Sequence, residues 1–156
     1  MNATIAAIED VYRRGYARFL RVATALVGDR ERAHDAVQEA FARAIRSRSA
    51  FRGEGSLEAW LWRTLVNVCT DERRAATRTL PLSPPVQNGR AEEWPELRAA
   101  VAALPERQRL ILFLRHYADL DYETIAAATG IARGTVAATL HAAHASLRRA
   151  MTEVVR

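Results

Sequence analysis

The chain has 156 residues, and its 23 arginines against 18 acidic residues give a formal net charge of +5 without a single lysine. Its length fits one large domain or two small ones, and its charge favours an anionic partner, nucleic acid first. The lone Cys69 excludes an internal disulfide, and neither a signal peptide nor the ~20-residue apolar run of a membrane-spanning helix is visible. We therefore expect a cytoplasmic protein without membrane insertion.

The first half of the chain has the periodicity of three helices. Apolar residues from Tyr12 to Val27 share one helical face, Gly28 predicts a helix end, and Asp29 predicts the cap of the next helix. A loop follows and ends at Ser56, which is a suitable cap for a third helix, apolar on two sides, from about residue 57 to 74. The second helix is expected to bury Ala33, Ala36, Val37, Ala40, Phe41, Ala44 and Ile45.

The pattern fails after the third helix and resumes near residue 96. Three prolines and an Asn88-Gly89 pair predict an extended, flexible linker over residues 76–94. Beyond it we expect a helix with Leu97 and Val101, another that starts at Pro105, and two short helices around Gly130. No strand pattern is visible. The prediction is an all-α chain of two small helical domains, residues 1–75 and 95–156, joined by the linker.

Polar residues form a stripe along the third helix, at steps of three and four residues that place them on one face. The stripe consists of Trp60, Arg63, Asn67, Asp71 and Arg74. Rings stack on bases, an amide reads base edges, and guanidinium groups hold phosphates, so the stripe suits single-stranded DNA. On spacing alone, a solvated helix face with Trp60 partly buried is the simpler interpretation.

The second helix carries Asp35, Gln38, Glu39 and Arg46 on the side away from its predicted core, and Glu39 and Arg43 form a favourable i,i+4 pair. By periodicity this is an ordinary charged surface. The functional interpretation is a docking face for a protein partner.

Residues 121–136 predict a helix, a glycine turn and a second helix, with a small core of Ile125, Ala126, Ile131, Val136 and Leu140. This is the pattern of a helix-turn-helix, whose second helix normally enters the major groove of DNA. A plain helical hairpin is the alternative.

Taken in order, these pieces resemble a family. The segment 35–41, the loop 51–56, and Trp60, Asn67, Asp71 and Arg74 resemble region two of the extracytoplasmic-function sigma factors of RNA polymerase. The second half resembles region four of that family through Leu104-Pro105, Gln108-Arg109, Leu112, Leu114-Arg115, Tyr122, Ile125-Ala126, Gly130, Gly134 to Val136, Leu140 and Leu147-Arg148. The resemblance covers about residues 10–75 and 95–150.

The resemblance implies a non-enzymatic factor, without cofactors, that directs RNA polymerase to promoters and initiates transcription. Its partners would be core RNA polymerase and promoter DNA, and an anti-sigma factor is left open. The residues implied for polymerase binding are Asp35, Gln38, Glu39 and Arg43. Those implied for the melted minus-ten element are Arg52, Ser56, Trp60, Arg63, Asn67, Arg73 and Arg74. Those for the minus-thirty-five element are Arg133, Gly134, Thr135, Thr139, His141, His144 and Arg148.

The chain departs from the family in three places. Arg32 and His34 replace the usual acidic residues at the start of the docking helix, and Thr129 replaces a core leucine. The reading helix has alanine, threonine or histidine where the family has cations, at Ala137, Ala138, Thr139, Ala142 and His144. Residues 80–156 hold 9 arginines against 8 acidic residues, whereas residues 1–79 hold 14 against 10. We therefore expect weak binding to the minus-thirty-five element.

Two other functions are weighed against this interpretation. A helix-turn-helix regulator that never engages polymerase needs only the second half of the chain. A metal-dependent nuclease would need a cluster of carboxylates, and the sequence shows no such cluster. His141 and His144 share a helical face, but a zinc site needs at least three protein ligands, so no metal is expected. DNA-facing or solvent-facing histidines and a core Cys69 are the simpler interpretations.

Overall fold

The computed structural model describes residues 2–79 and 94–156, and the side chains of residues 77–79 lie outside that description. The described residues form seven α-helices and one short 3-10 helix, Arg48–Ala50, and contain no strand. The all-α prediction is therefore confirmed. The prolines and the Asn-Gly pair of the predicted linker lie outside the described residues. The helices are α1 Ile5–Val27, α2 Arg30–Arg46, α3 Leu57–Thr79, α4 Pro95–Ala102, α5 Glu106–His116, α6 Tyr122–Thr129 and α7 Arg133–Val154.

Local capping sets several of the helix ends. Gly28 ends α1 in the left-handed conformation (φ 80°), which glycine adopts without a steric cost. Asp29 then caps α2, since its carboxylate accepts a hydrogen bond of 2.8 Å from the backbone N–H of Arg32. Ser56 caps α3 in the same way through the N–H of Ala59. The three predictions for Gly28, Asp29 and Ser56 are confirmed.

The helices α1, α2 and α3 form a first group around a core of large side chains. Phe19 and Trp62 are fully buried, and their ring centroids lie 4.2 Å apart. Phe41 from α2 meets the edge of Phe19 at 5.1 Å. The predicted buried side of α2 is confirmed, apart from Ile45, which is half-buried. Cys69 is fully buried in this core, as expected.

The helices α4 to α7 form a second group around Ile111, Leu114, Ile125, Val136 and Leu140, which are all buried. The prediction of two short helices around Gly130 is wrong for the second one, because α7 has 22 residues. Its alanine-rich sequence favours a helix, and after Gly134 in the first turn it contains no glycine or proline that would end it. For the same reason α3 continues to Thr79, into the segment predicted as linker.

The two groups pack directly against each other, with α6 on α3 and α5 near α1. Arg18 of α1 donates one hydrogen bond of 2.8 Å to the carbonyl of the buried Ala118 and another of 2.6 Å to Glu58 of α3. Arg73 of α3 and Glu106 of α5 add an ion pair between the groups, at 3.3 Å. The buried side chains of both groups form one continuous cluster. The two apolar sides predicted for the third helix fit this position between α1, α2 and α6.

Candidate functional site

The predicted docking face lies on the outer side of α2. Asp35 and Gln38 are exposed, and the side chain of Glu39 is 45% exposed. Arg43 donates a hydrogen bond of 2.9 Å to Glu39, and Arg46 approaches the same oxygen at 3.3 Å. The hydrogen bond from Arg43 is the main reason why the pKa of Glu39 lies below its usual value. Asp35 and Gln38 are therefore the more accessible groups of this face.

Arg43 also connects α2 to the polar stripe on α3. Its guanidinium group lies 3.6 Å from the carboxylate of Asp71 while it is bonded to Glu39. These contacts, the bond to Glu39 first, raise the pKa of Arg43. Sequence reasoning paired Arg43 with Glu39 but missed Asp71, because that contact depends on how two helices cross. The docking face and the stripe are thus one connected surface.

The departures at the start of α2 have partners within the first group. Arg32 forms an ion pair with Glu72 of α3 at 3.2 Å. The ring of His34 meets the edge of Tyr16 of α1, with 6.0 Å between the centroids. These two side chains therefore contact neighbouring helices, whereas Asp35 and Gln38 remain on the exposed surface.

The stripe on α3 combines a supported ring with exposed polar groups. Trp60 is half-buried and packs beside Phe51 of the preceding loop, with 5.6 Å between ring centroids. Arg63, Asn67 and Arg74 are exposed. This arrangement offers an aromatic edge, an amide and two guanidinium groups along one helix face, as the spacing predicted.

The loop before α3 contributes the exposed residues Arg52 and Ser56. Ser56 uses its hydroxyl oxygen to cap α3, so its structural role is defined. Gly55 has a φ of 77°, and no atom lies within 4 Å of a Cβ built on it. A side chain at Gly55 would therefore be disfavoured by the backbone conformation rather than by crowding.

Part of the stripe lies against the second group. A methyl group added to Gly130, in the helix-turn-helix, would be 3.8 Å from the guanidinium group of Arg63. Arg73 is held by Glu106 of α5. Two of the residues predicted to contact the minus-ten element are therefore close to the unit predicted to contact the minus-thirty-five element. Sequence reasoning did not anticipate this contact.

The helix-turn-helix itself is formed by α6, the turn at Gly130 and α7. Asp121 caps α6 through the N–H of Thr124 at 2.7 Å, and its hydrogen bonds with Thr124 lower the pKa of this carboxylate. Gly130 has a φ of 71°, which allows the sharp turn. Thr129 is half-buried and satisfies its hydroxyl by donating to the carbonyl of Ile125 at 2.7 Å. The replacement of a core leucine is thus accommodated without an unpaired hydroxyl.

The residues predicted to contact the minus-thirty-five element lie on two flanks of α7. Arg133, Gly134 and Thr135 are exposed in the first turn, which has no side-chain cap. At about 100° per residue, Thr135 and Thr139 lie on one side of the buried line, and the hydroxyl of Thr139 donates to the carbonyl of Thr135. His141 and Arg148 are exposed on the other side. A single narrow face therefore does not contain the whole set.

His144 is the member of that set whose position the sequence did not reveal. Its Nε2 lies 2.9 Å from Nε2 of His116, the last residue of α5. Of the two histidines expected to face DNA or solvent, His141 is exposed, whereas the ring of His144 is half-buried and faces that of His116. No spacing rule connects them, since they are 28 residues apart on different helices.

Two further observations bear on the chemistry. Burial raises the pKa of the Cys69 thiol to about 12, which leaves it unreactive at neutral pH. Within residues 2–79 and 94–156, no three or more histidine, cysteine or acidic side chains are grouped to hold a metal ion. In the same part of the chain, no helix has the length and apolarity needed to cross a membrane.

Comparisons with known proteins agree with both groups of helices. The family model Sigma-70 region 2 matches residues 11–79, and Sigma-70, region 4 matches residues 95–147. The RNA polymerase sigma-E factor of Streptomyces coelicolor is 33% identical over 149 residues, which are 90% of this chain and 83% of that protein. The ECF RNA polymerase sigma factor EcfG of Rhodopseudomonas palustris is 33% identical over 135 residues, 80% of this chain and 74% of its own.

A solved structure has the same fold. The sigma factor RpoE in complex with the anti-sigma factor NepR from Bartonella quintana aligns with a TM-score of 0.73 at 21% identity, over 95% of this chain and 98% of that chain. Both halves of the chain therefore match one family, in the same order and over most of its length. The chain belongs to the extracytoplasmic-function sigma factors, which direct RNA polymerase to specific promoters and initiate transcription.

Proposed function

We propose that three surfaces of this chain share the work of promoter recognition. The outer face of α2 binds core RNA polymerase, the α3 stripe with its loop captures the melted minus-ten element, and α7 contacts the duplex at the minus-thirty-five element. The observation that carries this proposal is that Arg43 joins Glu39, which lies beside the exposed Asp35 and Gln38 on α2, to Asp71 of the α3 stripe. A partner bound on α2 is thereby placed next to the surface that binds the melted strand.

The partner of α2 is a polymerase surface rich in cations and hydrogen-bond donors. Asp35 supplies an exposed carboxylate and Gln38 an exposed amide, whereas Glu39 is already bonded to Arg43 and Arg46. Charges at the rim of an interface act mainly on association and orientation. Asp35 should therefore contribute more to polymerase binding than Glu39. A protein that binds RNA polymerase acts in the cytoplasm, which is therefore the proposed location of this chain.

The α3 stripe captures bases that have left the duplex. Flipping a base out of the duplex costs a few kcal/mol of free energy. Selectivity therefore requires contacts that offset this cost only for the correct base. Asn67 is the side chain of the stripe suited to reading a base edge, and Trp60 provides a stacking surface beside Phe51. Arg63 and Arg74 hold phosphates, which position the strand without specifying its sequence.

Recognition of the minus-thirty-five element is weak and relaxed. Of the residues assigned to it, only Arg133 and Arg148 carry a permanent positive charge. The uncapped first turn of α7 offers backbone N–H groups to one phosphate. Thr139 bonds to the helix backbone, and a threonine gives less discrimination than a bidentate arginine. The affinity of α7 for DNA should therefore be low and its dependence on salt shallow.

The two groups of helices separate when the promoter is bound. By their names the two promoter elements lie about 25 base pairs apart, which is roughly 85 Å of duplex at ~3.4 Å per base pair. The packed helices are shorter than this spacing: α3 has 23 residues and a length of about 35 Å, and α6 of the second group lies directly against it. The 14 residues from 80 to 93 could span at most about 50 Å. Loss of the Arg18 and Arg73 contacts is therefore part of promoter binding.

An anti-sigma factor is a further partner, and it binds the closed arrangement, in which the two groups of helices are packed together. The matched Bartonella sigma factor is in complex with one. A protein that binds both groups of helices would keep Arg63 close to Gly130 and Arg73 on Glu106. It would thereby hold part of the α3 stripe away from the melted strand.

The test is transcription in vitro with the full-length chain, purified core RNA polymerase and a template library randomised at both elements. We expect transcripts only when the chain is present, with strong selection at the minus-ten element and weak selection at the minus-thirty-five element. If the chain bound duplex DNA but neither bound core polymerase nor supported transcription, it would act as a regulator of the helix-turn-helix type instead.

A further inference from the structure

The contact between His116 and His144 connects the end of α5 to the middle of the reading helix α7. The two Nε2 atoms are 2.9 Å apart, the ring centroids are 5.2 Å apart, and the ring planes meet at 64°. A neutral imidazole has one N–H donor and one acceptor nitrogen. At this distance one ring therefore donates its Nε2–H to the Nε2 of the other, which must carry no proton there.

The surroundings of the pair disfavour extra protons. Partial burial of the ring lowers the pKa of His116, and the nearby His144 and Arg115 lower it further. Arg115 itself is 3.5 Å from Asp119. The remaining charged residues on the helices around the pair are Glu96 and Arg98 of α4, Glu106, Arg107 and Arg109 of α5, Glu123 of α6, and Arg133, Arg148, Arg149 and Glu153 of α7. The lowered pKa of His116 favours its neutral form at neutral pH, so the pair keeps an acceptor nitrogen for the bond.

We propose that His116 and His144 form a proton-sensitive bridge, closed at neutral pH, that fixes the reading helix α7 against α5. One added proton leaves the bridge intact, because an imidazolium can still donate to a neutral imidazole. A second proton removes the last acceptor and places two positive charges about 3 Å apart. The rings must then separate, and α7 loses this attachment to α5.

The direction of the pH effect follows from linkage. Because the folded chain lowers the pKa of His116, the unfolded chain binds more protons in mildly acidic solution. The contribution to stability is complete above the unfolded histidine pKa of about 6.5. It decreases as the pH falls from there through the lower folded value. Each extra proton bound by the unfolded chain changes the unfolding equilibrium by up to tenfold per pH unit.

The consequence for transcription rests on the proposed role of α7 in DNA binding. Opening the bridge would free the protonated His144 to approach a phosphate and would loosen the helix that carries Arg148. The bridge itself does not depend on that role. A measurement on the histidine rings therefore tests the bridge even if α7 does not read DNA.

The experiment is an NMR titration of the histidine rings in the full-length chain between pH 8 and pH 4.5, with a chelator present to exclude metal ions. In the wild type, the rings of His116 and His144 should titrate as a coupled pair over a broad range. His144→Gln should shift the midpoint of His116 upwards, because it removes a neighbouring positive charge. His34→Gln, at an exposed ring on α2, is the matched control and should leave the His116 midpoint unchanged.

Two outcomes would overturn the proposal. One is independent, single-step titration of the two rings in the wild type, which requires no variant to fold. The other is a His116 midpoint that stays constant in folded His144→Gln. As a second measurement, urea unfolding of the α5–α7 amide signals should lose part of its acid sensitivity in His116→Gln but not in His34→Gln, and equal sensitivity in both would also contradict the bridge.

Discussion

Removal of Arg18 should shift the chain from the closed towards an open arrangement. Arg18 is the side chain that binds Glu58 and, at 2.8 Å, the carbonyl of the buried Ala118 in the second group. A hydrogen bond from a charged donor contributes roughly 1.5–3 kcal/mol. The Arg18 side chain is 34% exposed, so solvent screening reduces this to about 1–2 kcal/mol. Arg18→Ala should therefore raise the ratio of open to closed molecules roughly 5- to 30-fold.

The assay is single-molecule energy transfer between dyes on cysteines introduced at the exposed Glu31 and Glu153. Cys69 does not need to be removed, because a buried thiol with a pKa of about 12 is hardly ionised at neutral pH. Arg18→Ala should increase the population with low transfer efficiency.

Arg13→Ala is the matched control for this measurement. Arg13 lies on the same helix and forms an ion pair with Glu9 at 2.6 Å, but its side chain is 75% exposed and the pair stays within α1. Its removal should leave the transfer distribution as in the wild type. An unchanged distribution in Arg18→Ala, or an equal shift in Arg13→Ala, would refute the assignment of Arg18 as a contact that holds the groups together.

Three further substitutions test the proposed surfaces. Replacing both Asp35 and Glu39 with arginine should abolish co-purification with core polymerase while the helical circular dichroism stays intact, and retained binding would remove the docking assignment. Asn67→Ala should lose discrimination at one minus-ten base in a base-substitution panel, whereas Arg74→Ala should weaken all promoters about equally; an unaltered panel for Asn67→Ala would falsify its base-reading role. Ala138→Arg, at an exposed position of the reading helix, should add a phosphate contact and steepen the plot of log affinity against log salt by about 0.9, and an unchanged slope would show that this face does not meet DNA.

Much of the local structure was predictable, because it depends on neighbours in the chain. The ends at Gly28, Asp29 and Ser56 follow from backbone preference and from side chains that bond N–H groups three residues away. The buried side of α2 follows from the 3.6-residue repeat. Helix length was less predictable. Two short helices were expected around Gly130, but α7 has 22 residues, because the length of an alanine-rich helix also depends on what it packs against.

The order of motifs was sufficient to indicate the family, because the docking helix, the α3 stripe and the helix-turn-helix are each encoded in a short segment. The assignment of individual residues within them remains a prediction. The sequence could also show that cations are missing from the reading helix, since charge is a property of residues and not of their arrangement.

Only the tertiary structure decided which side chains meet across helices. The pairing of His144 with His116, the reach of Arg43 to Asp71, and the closeness of Arg63 to Gly130 join residues that no helical repeat relates. These contacts depend on where two helices cross and how far each has rotated, which results from packing of the whole core. The sequence by itself therefore determined the helices, their caps and the polar side chains available, whereas the packing of α3, α5, α6 and α7 decided which of those side chains remain exposed and which are already bonded within the protein.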